Sequence, residues 1–253
     1  MSNSSDSSAV PPPISPFVGE DERRWLQSQY AEIATLAGGL AHEIKNPLST
    51  ISLNLELLAE DLGGDQPREQ RMLRKVKTVQ RECERLEQLL EDFLRFARAG
   101  ALEFEETDLN SEVERFVEFF QAEARAARVE LSPRLAADLP HVRLDRDRFR
   151  QVLVNLARNA REAMPAGGLL ELQTAKTAHG VELRLIDTGV GMSPETLARV
   201  WDTFFSTKPG GSGLGLPTVR KIVERHGGTI SVESESGRGT RFTIALPSPP
   251  PHS

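Results

Sequence analysis

Two long stretches of this chain repeat apolar residues at the spacing of an amphipathic helix, and this pattern constrains the fold most. In the first stretch the steps are of three and four residues, through Leu26, Tyr30, Ile33, Ala37, Leu40, Ile44, Leu48, Ile51, Leu55, Leu58 and Leu62. In the second a regular heptad seam runs through Met72, Val76, Val79, Cys83, Leu86, Leu90, Phe93 and Ala97. We predict helices over residues 21–62 and 68–99, joined by a turn at residues 63–67.

The two predicted helices form an antiparallel hairpin, because the turn between them is short. A single hairpin cannot cover both of its apolar faces, whereas pairing with a second copy closes a four-helix bundle. We therefore predict a homodimer; the alternative is that the hairpin packs on the rest of the same chain. Cys83 falls on the heptad seam, and we interpret it as a small core residue rather than a reactive thiol.

The segment LAHEIKNPL, residues 40–48, carries polar side chains off the apolar stripe. His42 is one of them, so we expect it to face water or a partner. Asn46 lies one turn further on, at i+4, and hence on the same helix face. Pro47 removes one helical hydrogen bond and is expected to bend the helix beside the histidine. A solvated surface histidine without a role is the alternative interpretation of His42.

Composition argues against several classes of function. The net charge of −6 over 253 residues does not favour a nucleic-acid-binding surface. No apolar run approaches the roughly 20 residues that a membrane span needs, and no signal pattern is visible, so we expect a cytoplasmic chain without a membrane span. The single cysteine excludes an intrachain disulfide.

After Gly100 the pattern changes to short alternating strands mixed with helices, and we place a domain boundary there. The predicted strands are 102–108, 129–135, 141–144, 168–177, 181–187, 229–235 and 240–246. The predicted helices are 109–126, with Asn110 or Ser111 as its start signal, 146–164, 193–200 and 216–226. This order predicts an α/β sandwich of one mixed sheet against helices.

Two sets of residues in this later region have the chemistry of a nucleotide site. Asn155 and Asn159 share one helix face, and an asparagine oxygen can bind a hard cation such as Mg²⁺, although paired helix asparagines are usually only solvated. Asp187 follows an apolar strand and can accept a hydrogen bond from an exocyclic amine such as that of adenine. Gly189 and Gly191 after it permit close backbone approach to a flat ring.

A glycine-rich loop, GGSGLGL at residues 210–216, runs directly into a predicted helix. Backbone amides in such a loop, together with the positive end of the helix, form a ready site for phosphates. Lys208 just before the loop adds a point charge for the phosphate chain. The alternative is a mobile surface loop with no ligand.

Taken in order, these motifs resemble the N, G1 and G2 boxes of an ATP-binding fold. Histidine kinases, Hsp90-type chaperones, type II topoisomerases and MutL repair proteins share that fold. HEIKNPL resembles the phosphoacceptor box of two-component sensor histidine kinases, and NAREAMPAGG at residues 159–168 is most similar to soluble nitrogen-regulator-type kinases. The resemblance implies an α+β chain, in which a two-helix hairpin of a dimeric four-helix bundle precedes a GHKL-type α/β sandwich.

The resemblance also implies roles for single residues. Asp187 would bind the adenine amine, and Asn159 would coordinate Mg²⁺ with Asn155 beside it at the phosphates of ATP. The other implied nucleotide-binding residues are Gly189, Gly191, Lys208, Gly211, Gly213, Leu214, Gly215 and Thr240. In the chaperone and topoisomerase branches a glutamate that activates water stands at the position of Asn155. Asparagine cannot act as that base, which favours phosphoryl transfer to a protein group over ATP hydrolysis.

By the same resemblance, ATP phosphorylates His42 while Glu43 accepts its proton, and the phosphoryl group then passes to an aspartate of a response-regulator receiver domain. Asn46 would position a water that dephosphorylates that regulator. A dimeric nucleotide-binding scaffold without phosphotransfer is the main alternative; an ATP-driven chaperone or repair clamp is less favoured. The implied domains are a disordered segment 1–20, a dimerisation and phosphotransfer domain 21–99, an ATP-binding domain 100–247 and a disordered tail 248–253.

Overall fold

The computed structural model describes residues 40, 43–58, 69–97, 102–208 and 211–248. Residues 43–58 are helical and are labelled α1, and α2 spans Glu69–Ala97. The helical character predicted for this part of the chain is therefore confirmed where it is described. The predicted sites and segments that lie outside the described residues are His42, the turn at 63–67, the boundary at Gly100, the disordered segment 1–20 and residues 249–253 of the disordered tail. Ser248, the first residue of that tail, is described, and its backbone N–H donates to the His179 carbonyl oxygen at 3.2 Å.

Helix α2 buries apolar side chains that are not on the predicted heptad seam. Leu89 and Phe96 are only 5% and 4% exposed. Val76 and Leu90 of the seam are exposed, and so is Cys83, so the prediction that Cys83 is a core residue is wrong for the single chain. Residues that pack against a second copy are exposed in a single copy, so the predicted homodimer stays a prediction.

The remaining elements are strands and helices mixed along the chain. They are β1 (Glu105–Thr107), α3 (Leu109–Ala126), β2 (Val129–Arg134), β3 (Val142–Leu144), α4 (Arg146–Ala163), β4 (Gly168–Thr177), β5 (Gly180–Asp187), α5 (Pro194–Arg199), α6 (Gly215–Arg225), β6 (Thr229–Glu235) and β7 (Gly239–Pro247). A five-stranded mixed sheet has the order β2-β4-β5-β7-β6, in which β2 and β4 are parallel and the other pairs antiparallel. The predicted sandwich of a mixed sheet against helices is confirmed. The short strands β1 and β3 are the exception to the prediction of a single sheet, because they lie outside this sheet and pair with each other.

Side-chain caps begin several of these helices. Asp108 caps α3, because its Oδ1 accepts a hydrogen bond from the Asn110 backbone N–H at 3.0 Å. The prediction that Asn110 or Ser111 starts this helix is therefore wrong by two or three residues. Asp145 caps α4 in the same way, by accepting from the Arg148 N–H at 3.0 Å. Such a cap stabilises a helix by about 1 kcal/mol.

One face of the five-stranded sheet forms the core with α3, α4 and α6. Alternate strand residues face this core, because successive side chains in a strand point to opposite faces. Leu172 and Leu185 lie opposite each other on neighbouring strands and are both buried, and Phe242 continues the same layer on β7. The other face carries ion pairs such as Arg134–Glu171 and Arg241–Glu233. Asp187 lies on the covered face, at the end of β5.

Candidate functional site

Asp187 is a carboxylate that the main chain holds in a fixed orientation. The residue is only 5% exposed. Its Oδ1 accepts hydrogen bonds from the backbone N–H groups of Gly189, at 2.9 Å, and Thr240, at 3.2 Å. Burial raises the pKa of Asp187, while the two N–H groups and the charge of Lys208 act in the opposite direction. Asp187 is therefore a partly desolvated hydrogen-bond acceptor at the edge of the core.

The glycines around Asp187 let two backbone segments meet. A Cβ at Gly191, where φ is +65°, would lie 2.0 Å from the carbonyl oxygen of Glu235. A Cβ at Gly239, where φ is +89°, would lie 2.0 Å from the carbonyl oxygen of Asp187. The loop after β5 therefore packs tightly on the turn between β6 and β7. The sequence suggested that Gly189 and Gly191 allow a flat ligand to approach the backbone. In the structure both positions are glycine because a side chain would collide with the protein's own backbone. A Cβ at Gly189, for example, would lie 2.7 Å from the Ala163 carbonyl oxygen.

On α4, two oxygen atoms converge on one cation. The Lys208 ammonium donates to Asn159 Oδ1 at 3.0 Å and to Glu162 Oε2 at 2.5 Å. Asn155 lies one turn before Asn159 and is half-buried. Sequence reasoning missed Glu162, although its i+3 spacing from Asn159 places it on the same helix face. Lys208, predicted to meet the phosphates, contacts protein oxygens in this structure.

The glycine-rich loop is closed at its base by backbone contacts, while Pro209 and Gly210 lie outside the described residues. The Phe204 N–H donates to the Gly213 carbonyl oxygen at 3.1 Å, and a Cβ at Gly213 would lie 2.3 Å from the Phe204 carbonyl carbon. Ser212 Oγ donates to Asp92 Oδ2 on α2 at 2.6 Å.

The start of α6 suits an anion. Leu214 stands at the N-cap and makes no side-chain capping bond, so no side chain at that position binds the first N–H groups of the helix. Leu214 itself is fully buried, so it presents no exposed surface to a ligand in this structure. A Cβ at Gly215 would meet nothing within 4 Å, which leaves open space beside the helix start.

The predicted phosphotransfer residues lie in the other part of the chain. Glu43 and Asn46 are in the described part of α1, where Glu43 is half-buried and Asn46 exposed. His42, between them and Leu40, lies outside the described residues. Among the residues that the structure describes, no helix is both long and apolar enough to cross a bilayer.

The sheet order, the covering helices, the buried aspartate and the two glycine-rich segments together define a GHKL-type ATP-binding domain. Residues 144–250 match the family of histidine kinase-, DNA gyrase B- and HSP90-like ATPases. Residues 32–102 match the His Kinase A (phospho-acceptor) domain. The chain belongs to the two-component sensor histidine kinases, and the predicted family and fold class are confirmed.

Individual relatives agree with this assignment. The sensor histidine kinase ZraS of Escherichia coli K12 is 34% identical over 230 residues, which cover 90% of this chain and 48% of ZraS. The histidine kinase ThkA, solved in complex with the response regulator TrrA, superposes with a TM-score of 0.71 at 25% identity, over 93% of this chain and 68% of that one. Full-length ShkA in complex with AMPPNP superposes with a TM-score of 0.59 at 28% identity, over 87% of this chain and 47% of ShkA. The chain thus spans about half the length of ZraS.

Proposed function

We propose that this chain transfers the γ-phosphoryl group of ATP to His42 and then to an aspartate of a response regulator. The observation that carries the proposal is the Asp187 carboxylate, which two backbone N–H groups orient within a chain that also matches the phosphoacceptor family around His42. The AMPPNP bound to ShkA and the response regulator bound to ThkA support the nucleotide and the partner.

At the adenine end, Asp187 is the residue that accepts a hydrogen bond from the exocyclic amine of the base. An ionised carboxylate accepts hydrogen bonds and cannot donate one, so Asp187 selects a base that donates at that position. Because Asp187 is largely buried, water competes poorly for this bond.

At the phosphate end, the donor set fits Mg²⁺. Asn159 Oδ1 and Glu162 Oε2 already hold one cation, the Lys208 ammonium. Both are hard oxygen ligands, and magnesium takes few protein ligands when phosphates and water complete its shell. Asn159 would hold the ion, with Asn155 beside it, and the ion would supply positive charge against the triphosphate. Lys208 would then contact the phosphate chain, as would the uncapped N–H groups at the start of α6.

The transfer itself requires a neutral imidazole. Free histidine has a pKa of about 6.5, so a neutral fraction exists at pH 7. One ring nitrogen of His42 attacks the γ-phosphorus; the new P–N bond forms as the bond to the ADP oxygen breaks. Glu43 holds the proton of the other ring nitrogen, and Asn46 positions water when the phosphorylated regulator is hydrolysed.

The exposed apolar residues of α1 and α2 form the face for a second copy of the chain. They are Leu48, Leu53, Leu55, Leu57, Leu73, Val76, Leu90 and Leu94.

Labelling with γ-phosphate-labelled ATP tests the proposal. We expect wild type to acquire acid-labile phosphate and His42→Gln to acquire none while it still binds ATP. His141→Gln is the matched control, since His141 is an exposed histidine outside the proposed site, and it should label normally. Label retained in His42→Gln would refute the assignment of the phosphoacceptor. ATP binding without any labelling of wild type would favour the nucleotide-binding scaffold.

A further inference from the structure

Ser234, near the end of β6, is a hub of hydrogen bonds beside the proposed adenine site. The Met192 backbone N–H donates to Ser234 Oγ at 2.9 Å. Ser234 Oγ donates to the Gly239 carbonyl oxygen at 2.9 Å and lies 3.0 Å from Thr240 Oγ1. No motif in the sequence pointed to this serine. Its hydroxyl joins the loop after β5 to the first residues of β7.

The strand register places Ser234 in a row with Asp187. Asp187 on β5 is paired with Thr240 on β7, and Thr240 is paired with Ser234 on β6. Residues directly opposite in antiparallel strands carry their side chains on the same face of the sheet. The three side chains therefore form one row across three strands, on the covered face where the site opens.

The protons in this row can be assigned from chemistry alone. A hydroxyl has one proton and two lone pairs, a carbonyl oxygen can only accept, and a backbone N–H can only donate. The Ser234 proton therefore goes to the Gly239 oxygen, and one Ser234 lone pair accepts from the Met192 N–H. The remaining contact, with Thr240 Oγ1, must use the proton of Thr240. Thr240 thus directs its only proton to Ser234, away from the ligand.

We propose that Ser234 is a positioning residue that sets the base preference of the ATP site. By accepting the proton of Thr240, it leaves the row with acceptors only, namely the Asp187 carboxylate and the lone pairs of Thr240 Oγ1. Acceptors favour a 6-amino purine and repel the carbonyl oxygen of a 6-oxo purine such as guanine. Without Ser234 the Thr240 hydroxyl rotates and donates to that carbonyl. This inference rests on the proposed binding of adenine by Asp187.

Calorimetric titration of the full chain with ATP and with GTP tests the inference. In Ser234→Ala we expect the ratio of ATP to GTP affinity to fall by roughly three- to tenfold, the worth of one neutral hydrogen bond. Ser234→Thr keeps the hydroxyl and should restore the ratio. Ser231→Ala, at an exposed serine of the same strand, is the matched control and should leave it unchanged. If Ser234→Ala weakens both nucleotides equally, its role is only structural and the inference is overturned.

Two further variants keep the outcome interpretable. Thr240→Val removes the hydroxyl that Ser234 orients, and with it the lone pairs that repel a 6-oxo group, so it should lower the ATP to GTP ratio even if Ser234→Ala does not fold. Adding Ser234→Ala to it should then change the ratio no further. Asp187→Asn separates this inference from the proposed function. If Asp187→Asn binds ATP as tightly as wild type, the proposed adenine site is refuted. If Asp187→Asn loses ATP binding but Ser234→Ala keeps the wild-type ratio of ATP to GTP affinity, only the role of Ser234 is refuted.

Discussion

The two ends of the proposed nucleotide site are built in different ways. At the adenine end, backbone meets backbone: Gly237 N–H donates to the Val190 oxygen at 2.7 Å, and Gly191 and Gly239 leave no room for a side chain. At the phosphate end, flexible side chains make the contacts, chiefly that of Lys208 with Asn159 of α4 and that of Ser212 with Asp92 of α2. We infer that the adenine end is preformed, whereas the phosphate end can rearrange without unfolding the domain.

The largest expected effect is a loss of phosphorylation by a substitution that changes only the phosphate end of the site. Asn159→Ala removes the proposed ligand of Mg²⁺, so phosphorylation of His42 should fall by roughly 10²- to 10³-fold, as when a group that stabilises transition-state charge is lost. The free energy of unfolding should change by less than about 1 kcal/mol, because Asn159 is a half-buried polar residue. Labelling kinetics and urea unfolding measure the two quantities. ATP binding without Mg²⁺ should survive; its loss would contradict this division of the site.

At the adenine end, by contrast, a substitution that disturbs the site should also destabilise the fold. In Gly191→Ala the new Cβ would lie 2.0 Å from the Glu235 oxygen at a φ of +65°, and we expect a loss of about 3 kcal/mol or more in unfolding free energy. Gly237→Ala is the matched control, because its φ is +81° but a Cβ there meets nothing within 4 Å. It should cost only the strain of a left-handed residue, about 1–2 kcal/mol. Equal losses in the two variants would mean that close approach is unimportant.

Asp187→Asn should separate binding from stability at the adenine end. The amide oxygen can still accept from Gly189 and Thr240, so the fold is kept, but ATP affinity should fall by roughly 10- to 100-fold, the range for a hydrogen bond to a charged group. Burial raises the pKa of Asp187, so the folded state favours the protonated form. The ionised carboxylate therefore costs stability above its folded pKa, and the Asn variant should be the more stable at pH 7.

Thermal unfolding of the Asp187→Asn variant beside wild type, at pH 7 and at pH 3.5, measures this difference. The gain in stability should shrink at the lower pH, where the wild-type carboxyl is mostly protonated in the unfolded state as well as in the folded one. A variant that is less stable than wild type at pH 7 would show that the orienting N–H bonds outweigh the cost of burial.

The smallest effect concerns His226, at the other end of α6 from the glycine-rich loop. Burial lowers the pKa of His226, whose Nε2 accepts from the Asp145 N–H at 3.0 Å and whose Nδ1 donates to the Ile222 oxygen at 2.8 Å. The folded state thus favours neutral imidazole, so its contribution to stability is present above pH 6.5 and is lost as the pH falls toward the folded pKa.

Melting temperatures between pH 7.5 and 5.5 check this expectation. The slope for one proton is limited to about 1.4 kcal/mol per pH unit. His226→Gln should flatten the pH dependence, whereas His179→Gln, at an exposed histidine, should leave it as in wild type. The ATP to GTP ratio should not change with either variant, because His226 lies outside the row of Asp187.

Local spacing determined much of this protein. The i, i+4 pair Asn155 and Asn159, the aspartate that ends β5 and the stripes of the helical region each depend on neighbours within a few residues. Helix and strand positions after Gly100 were predicted to within a few residues for the same reason. The mixed sheet and the family followed from the order of these local features, while the nucleotide-binding roles of single residues stay predictions.

Only the tertiary structure decided which distant groups meet. Strand register places Ser234 beside Thr240 and Asp187, and the β6–β7 turn explains why position 191 must be glycine. The fold also brings Lys208 to Glu162, buries Leu89 and Phe96 in place of the heptad seam, and separates β1 and β3 into their own sheet. Spacing along the chain cannot encode these contacts, because they depend on how sheet and helices pack and on where each backbone proton finds its acceptor.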